Sequence, residues 1–182
     1  MDALELLQQD HDQVRALIER FEGGKGDRSA IVDEMLALLE VHQTIEEEIF
    51  YPAVRAEVKE ADDDVAEGYE EHHVAAGEAD EISSFRGDEQ VCEAKVTVLT
   101  ELFQHHASEE EDEMFTKVRE HMPASRRAEL GAAMARRRAE LTYEAMDKPT
   151  LEERARALDL SGSSTMTKAE LAAALAGAEF EA

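Results

Sequence analysis

Four segments of the chain carry apolar side chains every three or four residues, which is the spacing of one buried face on an α-helix. The first and third segments cover roughly residues 2–22 and 62–85, the second follows Asp27 or Ser29, and the fourth follows Asp88. In each segment one position of the apolar face holds a histidine, and these are His11, His42, His72 and His106. The pattern predicts an all-α chain that folds as an antiparallel, up-down four-helix bundle with four imidazoles in its interior.

The composition supports a folded helical protein and limits its partners. Hydrophobic residues make up 43% of the 182 residues, which is enough for a packed core. The net charge of −25 opposes binding to nucleic acid and to anionic membranes, but it permits metal cations and basic partners. No apolar stretch approaches the ~18 residues of a membrane span, and the first ten residues do not resemble a signal peptide. The single cysteine, Cys92, fits a reducing compartment, so we expect a cytoplasmic protein.

Further helices are expected after the four segments. Residues 124–146 predict a fifth helix, amphipathic and rich in arginine, that packs on the bundle with its arginines in solvent. A short linker and two short helices follow. We therefore expect a bundle at residues 1–146, with its core at 2–121, and a small helix–loop–helix appendage at 150–182.

The four segments are two copies of one helical hairpin. Residues 42–48 recur 64 positions later at 106–112, with a histidine first and glutamates at matching places. Residues 10–11 and 71–72, each an acidic residue before a histidine, correspond at a spacing of 61. The two copies are residues 2–60 and 63–121. A two-fold arrangement of these copies would bring all four histidines to one level.

Both copies place a glutamate one helical turn after a histidine. His42 and Glu46, like His106 and Glu110, are four residues apart, so each pair projects from one helix face. A lone histidine on an apolar face can be a hydrogen-bonded core residue, but burying two glutamates is unfavourable unless a positive charge lies between them. Helix bundles hold two metal ions with such inward side chains. The predicted metal ligands are His11, His42, Glu46, His72, His106 and Glu110, which suit iron and also fit manganese.

Neighbouring residues compete for these roles. His73 and His105 adjoin His72 and His106, but their own helix faces contain fewer apolar residues, so the periodicity favours His72 and His106. His121 lies at a helix end. Most of the acidic residues after each glutamate are predicted to face solvent, and as a dense acidic rim they could raise the local cation concentration: Glu47, Glu48, Glu111, Asp112 and Glu113. The larger side chains that come next are predicted to pack in the core or to line an oxygen-sized pocket: Phe50, Tyr51, Met114 and Phe115.

The order of a histidine, His-x-x-x-Glu, a histidine and a second His-x-x-x-Glu resembles the hemerythrin-like (HHE cation-binding) family. The resemblance covers about residues 2–121. It implies a four-helix bundle around a non-haem di-iron centre with an oxo or hydroxo bridge. It further implies that the four histidines are terminal ligands of two iron ions and that Glu46 and Glu110 bridge them.

Two positions depart from the oxygen-carrying members of that family. Those members have a second histidine one turn after the third-helix ligand, where this chain has Ala76. They also have an aspartate five residues after the fourth-helix histidine, where this chain has Glu110 four residues on. With four imidazoles instead of five, both metal ions would keep an open position. This ligand count favours reaction with peroxide, oxygen or nitric oxide over storage of bound oxygen.

The sequence therefore predicts a cytoplasmic di-iron protein that reacts with small oxidants, above all peroxide, in a catalase- or peroxidase-like way. The alternative is a non-enzymatic sensor of oxygen, nitric oxide or iron that signals through the C-terminal segment. Residues 151–175 also resemble the helix–loop–helix of transcription terminator Rho and SAP-type motifs, which would imply contact with nucleic acid. From Thr150 onward, however, three basic residues face six acidic ones, so a protein partner fits better.

Overall fold

The computed structural model describes residues 1–24, 26–85 and 87–181; Lys25, Arg86 and Ala182, the last residue of the predicted appendage, lie outside the described residues. Every regular element in these ranges is helical, which confirms the all-α prediction, and none of these helices is long and apolar enough to cross a membrane. The first elements are α1 (Ala3–Glu22), α2 (Arg28–Ile45), a first π segment (Glu46–Phe50), α3 (Tyr51–Glu57), a 3-10 turn (Lys59–Ala61) and α4 (Asp62–Ser84). The others are α5 (Glu89–Glu109), a second π segment (Glu110–Met114), α6 (Phe115–His121), α7 (Ala124–Ala145), α8 (Lys148–Ala157), a 3-10 turn (Ser163–Thr165) and α9 (Lys168–Glu181).

Aspartates precede α1, α2 and α5 and satisfy otherwise unpaired backbone groups there. The Asp2 side chain accepts a hydrogen bond from the N–H of Leu4, and Glu5 completes a capping box there. Asp27 caps α2 and Asp88 caps α5 in the same manner, as the sequence predicts for both.

A π segment interrupts each of the helices predicted to carry a His-x-x-x-Glu pair. The N–H of Tyr51 donates to the carbonyl oxygen of Glu46, five residues before it, and the N–H of Phe115 donates to Glu110. The sequence predicts a fourth helix that continues to His121 and a second helix that Pro52 kinks or ends. Pro52 lies in the first turn of α3, directly after the first π segment. The apolar period predicts neither π turn, because it hardly changes over one turn. The two π segments occupy corresponding positions of the repeat, so the interruption belongs to the repeated hairpin itself.

Two apolar clusters fill the interior, one on each side of the histidines. One cluster includes Leu7, Ile45, Tyr51, Val65 and Met114, and the other includes Val14, Leu39, Ile82 and Phe103. Along α1, His11 lies between Leu7 of one cluster and Val14 of the other. The histidines of α2, α4 and α5 are placed in the same way. They therefore occupy one polar layer between two apolar clusters.

The arginine-rich helix α7 packs against α1 and α2, and α9 packs against α7 and α8. The prediction that its arginines lie in solvent is wrong for four of them, which pair with acidic residues earlier in the chain. These pairs are Arg126 with Glu57, Arg127 with Asp2, Arg137 with Glu48 and Arg138 with Asp10. Tyr143 joins side chains of α8 and α9 in a third apolar cluster.

Candidate metal centre

The six predicted ligands come together in the polar layer. Helices α1, α2, α4 and α5 each contribute one histidine, and each π segment begins with one glutamate. None of the six residues is more than 5% exposed. Placing a carboxylate at the first residue of a π turn is consistent with the frequent occurrence of such turns at functional sites.

The glutamates join histidines from both copies of the repeat. Glu46 Oε2 lies 3.2 Å from His42 Nε2 of its own copy and 3.3 Å from His72 Nε2 of the other. Glu110 Oε2 lies 3.8 Å from His106 Nε2 and 3.5 Å from His11 Nε2. The two groups are also adjacent, since the Nε2 atoms of His72 and His106 are 3.4 Å apart. The arrangement is a pseudo-two-fold pair of two-histidine, one-carboxylate groups.

Each imidazole turns its other nitrogen toward an outer carboxylate. His11 Nδ1 is 2.8 Å from Glu111, His72 Nδ1 is 3.0 Å from Glu47, His106 Nδ1 is 2.8 Å from Glu71, and His42 Nδ1 is 3.5 Å from Asp10. Carboxylates in this position orient a metal-binding histidine and make it a better ligand. Hydrogen bonds to three of these carboxylates hold the Nε2 atoms of His11, His72 and His106 toward the centre, whereas His42 Nδ1 makes no hydrogen bond.

Sequence reasoning missed these outer carboxylates. Glu47 and Glu111 were predicted to face solvent, yet each is bonded to a buried histidine of the other copy. The available signal was the repeat itself, because an acidic residue precedes His11 and His72 and another follows each ligand glutamate. Contacts between helices decide which acidic residue reaches which ring, and periodicity within one helix does not contain that information.

Several buried polar atoms of the layer have no hydrogen-bond partner. They include Nε2 of His11 and His42, both carboxylate oxygens of Glu46, and Oε2 of Glu110. Buried polar groups are nearly always paired, because leaving one without a partner is unfavourable. Imidazole nitrogens and carboxylate oxygens that converge without partners form a donor set for a cation. One oxygen or nitrogen from each of five residues, His11, His42, Glu46, His106 and Glu110, lies within 4.8 Å of all the others.

Burial sets the protonation of the layer when no cation is bound. It raises the pKa of Glu46 well above its usual range, and burial together with the nearby charge of Glu46 raises the pKa of Glu110 to about 8. Burial also lowers the pKa values of His11 and His72, and lowers that of His42 further. These three imidazoles therefore favour the neutral form that binds a metal, whereas the two carboxyls must release protons to do so.

Residues 2–118 match the family model described as the Hemerythrin HHE cation binding domain. The chain belongs to that family. The match spans all six residues of the polar layer and ends within α6. No curated protein and no solved structure is similar enough to the chain to count as a match. The family and the buried histidine–glutamate cluster together make this a metal-binding protein.

One tyrosine breaks the symmetry of the hemerythrin centre. The buried hydroxyl of Tyr51 donates a hydrogen bond to Glu110 Oε1 at 3.0 Å and lies 3.4 Å from His72 Nε2. The corresponding residue of the second copy is Phe115, which has no hydroxyl. Gly68 makes room for the tyrosine, because a Cβ there would lie 2.6 Å from the hydroxyl oxygen. Tyr51 packs in the core, which is one of the two roles predicted for it, and its hydroxyl also reaches the polar layer. Its lining of an oxygen-sized pocket stays a prediction.

The remaining histidines of the hemerythrin domain lie outside the layer. His73 is exposed, and the side chains of His105 and His121 are 60% and 41% exposed. None of them supplies an atom to the buried set. The structure thus separates His72 and His106 from their neighbours in the way that the apolar periodicity predicts.

Proposed function

We propose that this protein holds a non-haem di-iron centre that reacts with small oxidants, with peroxide as the leading substrate. In this proposal α1, α2, α4 and α5, with the π segments and short helices that continue them, act as an antiparallel four-helix bundle around the metals. The observation that carries the proposal is the convergence of four imidazoles and two buried carboxylates, several of whose inward atoms have no hydrogen-bond partner.

The proposed ligands divide between the two groups of the layer. His42 and His72 would hold one iron beside Glu46, and His11 and His106 would hold the other beside Glu110, with both glutamates shared between the metals. Nitrogen and oxygen ligands of this kind suit iron or manganese, whereas reduced copper prefers sulfur. Two bound iron ions would exchange electrons with peroxide, oxygen or nitric oxide. Four imidazoles for two metals leave coordination positions to which such a molecule can bind.

The chain's own residues supply orientation, a proton and a shielded pocket. The outer carboxylates keep the Nε2 atoms directed inward. Burial and the nearby charge of Glu110 raise the pKa of Tyr51 well above its usual range, so its hydroxyl holds a proton beside the centre. The Phe115 ring lies parallel to His11 at 6.1 Å, and the Phe103 ring meets the same imidazole edge-on at 5.8 Å. These apolar rings limit access of water to the layer.

A second candidate function is a non-enzymatic sensor. It is favoured by the buried contact between Arg138 of α7 and Asp10, because Asp10 also lies 3.5 Å from His42. Since α9 packs on α7, a change at the centre could alter the C-terminal helices and hence a protein partner. The cytoplasmic location and the division into domains at residues 1–146 and 150–182 stay predictions.

Elemental analysis and a peroxide assay test the proposal. We expect close to two iron ions per chain in freshly purified protein, and sustained oxygen release from hydrogen peroxide as two peroxides become two waters and one oxygen molecule. Glu110→Gln should abolish the release, and His73→Gln, at an exposed histidine, should retain it. Protein that binds no metal after anaerobic iron loading would make the histidines structural and contradict the proposal. Iron-loaded protein without turnover, in which oxidants change the protease sensitivity of residues 147–182, would support the sensor.

A further inference from the structure

A second group of metal-binding side chains lies at the surface, outside the buried layer. Glu71, His105 and Glu109 each offer one atom within 4.8 Å of the others. His105 Nε2 lies 3.6 Å from Glu71 Oε1 and 3.4 Å from Glu109 Oε1. The His105 side chain is 60% exposed, so a cation in solvent can reach this group directly.

Glu71 connects the surface group to the buried centre. Its Oε2 is hydrogen-bonded to Nδ1 of His106 at 2.8 Å, while its Oε1 faces His105. One carboxylate therefore contacts both an exposed imidazole and a proposed ligand of the centre. A cation held by Glu71 would be separated from the buried layer only by the ring of His106.

Residues of both places line one cavity of about 60 Å³. Its walls include Asp64, Glu67, Glu71, Glu109 and Glu113, and His106 and Glu110 also line it. Glu110 is 3% exposed, and its Oε2 has no hydrogen-bond partner. An acidic cleft concentrates cations, and an unpaired buried carboxylate oxygen along its wall attracts a cation from the surface toward the buried layer.

The first copy of the repeat has a different arrangement at the matching positions. Val41 and Ile45 stand where the second copy has His105 and Glu109. Asp10 stands where it has Glu71, and Arg138 of α7 pairs with that aspartate. Uptake on the side of the bundle that carries Val41, Ile45 and Arg138 would require a cation to pass apolar side chains and a guanidinium group.

We propose that Glu71, His105 and Glu109 form an uptake site that captures a divalent cation such as Fe²⁺ and delivers it through the acidic cavity to the buried centre. The inference rests on the proposed function, because it supplies the metal for that centre. Carboxylate oxygens with one imidazole nitrogen are suitable ligands for Fe²⁺. An exposed set of three ligands binds weakly enough for the ion to leave again, whereas the buried set offers six.

Anaerobic Fe²⁺ uptake by the metal-free full-length chain tests the inference. Chelator quenching at successive times after mixing gives the rate of incorporation, and elemental analysis gives the final iron content. At limiting Fe²⁺, the double variant His105→Gln/Glu109→Gln should load about tenfold more slowly than the wild type. Its final iron content and its thermal unfolding should not change. The matched control His73→Gln, another exposed histidine of the same bundle, should load at the wild-type rate.

Three results would overturn the inference. Equal loading rates in the double variant and the wild type would do so while leaving the metal centre intact. A lower final iron content in the double variant would assign these residues to the final site rather than to uptake. Failure of the wild type itself to take up iron would remove the proposed function, and with it the need for an uptake site.

Discussion

Residues 2–60 and 63–121 supply matching halves of the metal centre, but their surroundings differ. On the first half, α7 packs against α1 and α2, and Arg138 pairs with the buried Asp10. On the second half, Glu71 occupies the equivalent position beside a cavity lined by acidic residues. The two halves also differ in one buried aromatic residue. Residues 2–60 contribute Tyr51, whose hydroxyl lies against Gly68, and residues 63–121 have Phe115 at the corresponding position. The repeat thus preserves the ligands, and residues around them make the two sides unequal.

The largest expected effect tests whether the halves are equal in their ligands. His42→Ala and His106→Ala should each remove metal from the centre, with a loss of affinity greater than the roughly 10- to 100-fold typical of outer residues. Elemental analysis after equilibrium dialysis against Fe²⁺ measures this loss. His73→Ala and His105→Ala serve as controls and should keep nearly full equilibrium occupancy. If His105→Ala lost as much iron as His106→Ala, the assignment of ligands on α5 would be wrong by one residue.

The next prediction concerns the contribution of the contact between α7 and the first half to the free energy of unfolding. Arg138→Gln should lower the free energy of unfolding at pH 7 by about 3 kcal/mol, because it leaves Asp10 buried without its charged partner. Denaturant unfolding measures the loss, with Arg137→Gln as the control, since Arg137 and its partner Glu48 are both partly exposed. Burial raises the pKa of Asp10 to about 6, so the loss should shrink as the pH falls below that value. Equal losses for the two arginines would mean that the buried pair does not anchor α7.

The third prediction concerns the pH dependence of metal binding, which Glu110 controls in the second half. Because burial and the charge of Glu46 raise the pKa of Glu110 to about 8, this carboxyl is protonated at neutral pH without metal. Metal must displace the proton, so the apparent affinity should fall by up to about tenfold for each pH unit below 8. Calorimetric titration in buffers of different ionisation enthalpy counts the released protons.

The raised pKa of Glu110 also affects the stability of the metal-free protein. Metal affinity rises with pH, whereas this contribution to stability falls with pH. From about pH 4.5 to 8 the native state keeps a proton on Glu110 that the unfolded state has released, so this residue makes stability decrease as the pH rises. Glu110→Gln should remove this contribution and one released proton, and Glu46→Gln should also reduce proton release. Unchanged proton release in both variants would contradict the assignment.

The smallest effect tests the tyrosine that distinguishes the halves. Gly68→Ala should destabilise the protein by about 1–3 kcal/mol, because the new Cβ would overlap the Tyr51 hydroxyl. The loss should be smaller in the Tyr51→Phe background, and a double-mutant cycle of unfolding free energies measures the coupling. At the repeat spacing of 61, Leu7 is the counterpart of Gly68, so Leu7→Ala with Phe115→Leu provides the corresponding pair in the other half. Absence of coupling between Gly68 and Tyr51 would show that the glycine has no role in seating the hydroxyl.

The amino-acid pattern is sufficient to predict the main helices, the inward face of each and the histidine on that face. These features follow from the helical period and from capping residues such as Asp27 and Asp88, which act within a few residues of the chain. The repeat also indicated that the histidines meet at one level. Even His106 was distinguished from His105 in this way, because only one of two adjacent positions can continue an apolar face.

Contacts between groups on different helices become visible only in the folded chain. The pairing of Glu111 with His11, of Arg138 with Asp10 and of the Tyr51 hydroxyl with Glu110 depends on how the helices rotate and pack. The π segments belong with these features, since one extra residue in a turn barely changes the apolar pattern yet redirects the side chains that follow. Local periodicity specifies which side of a helix faces inward, whereas packing between helices selects the atoms that meet there.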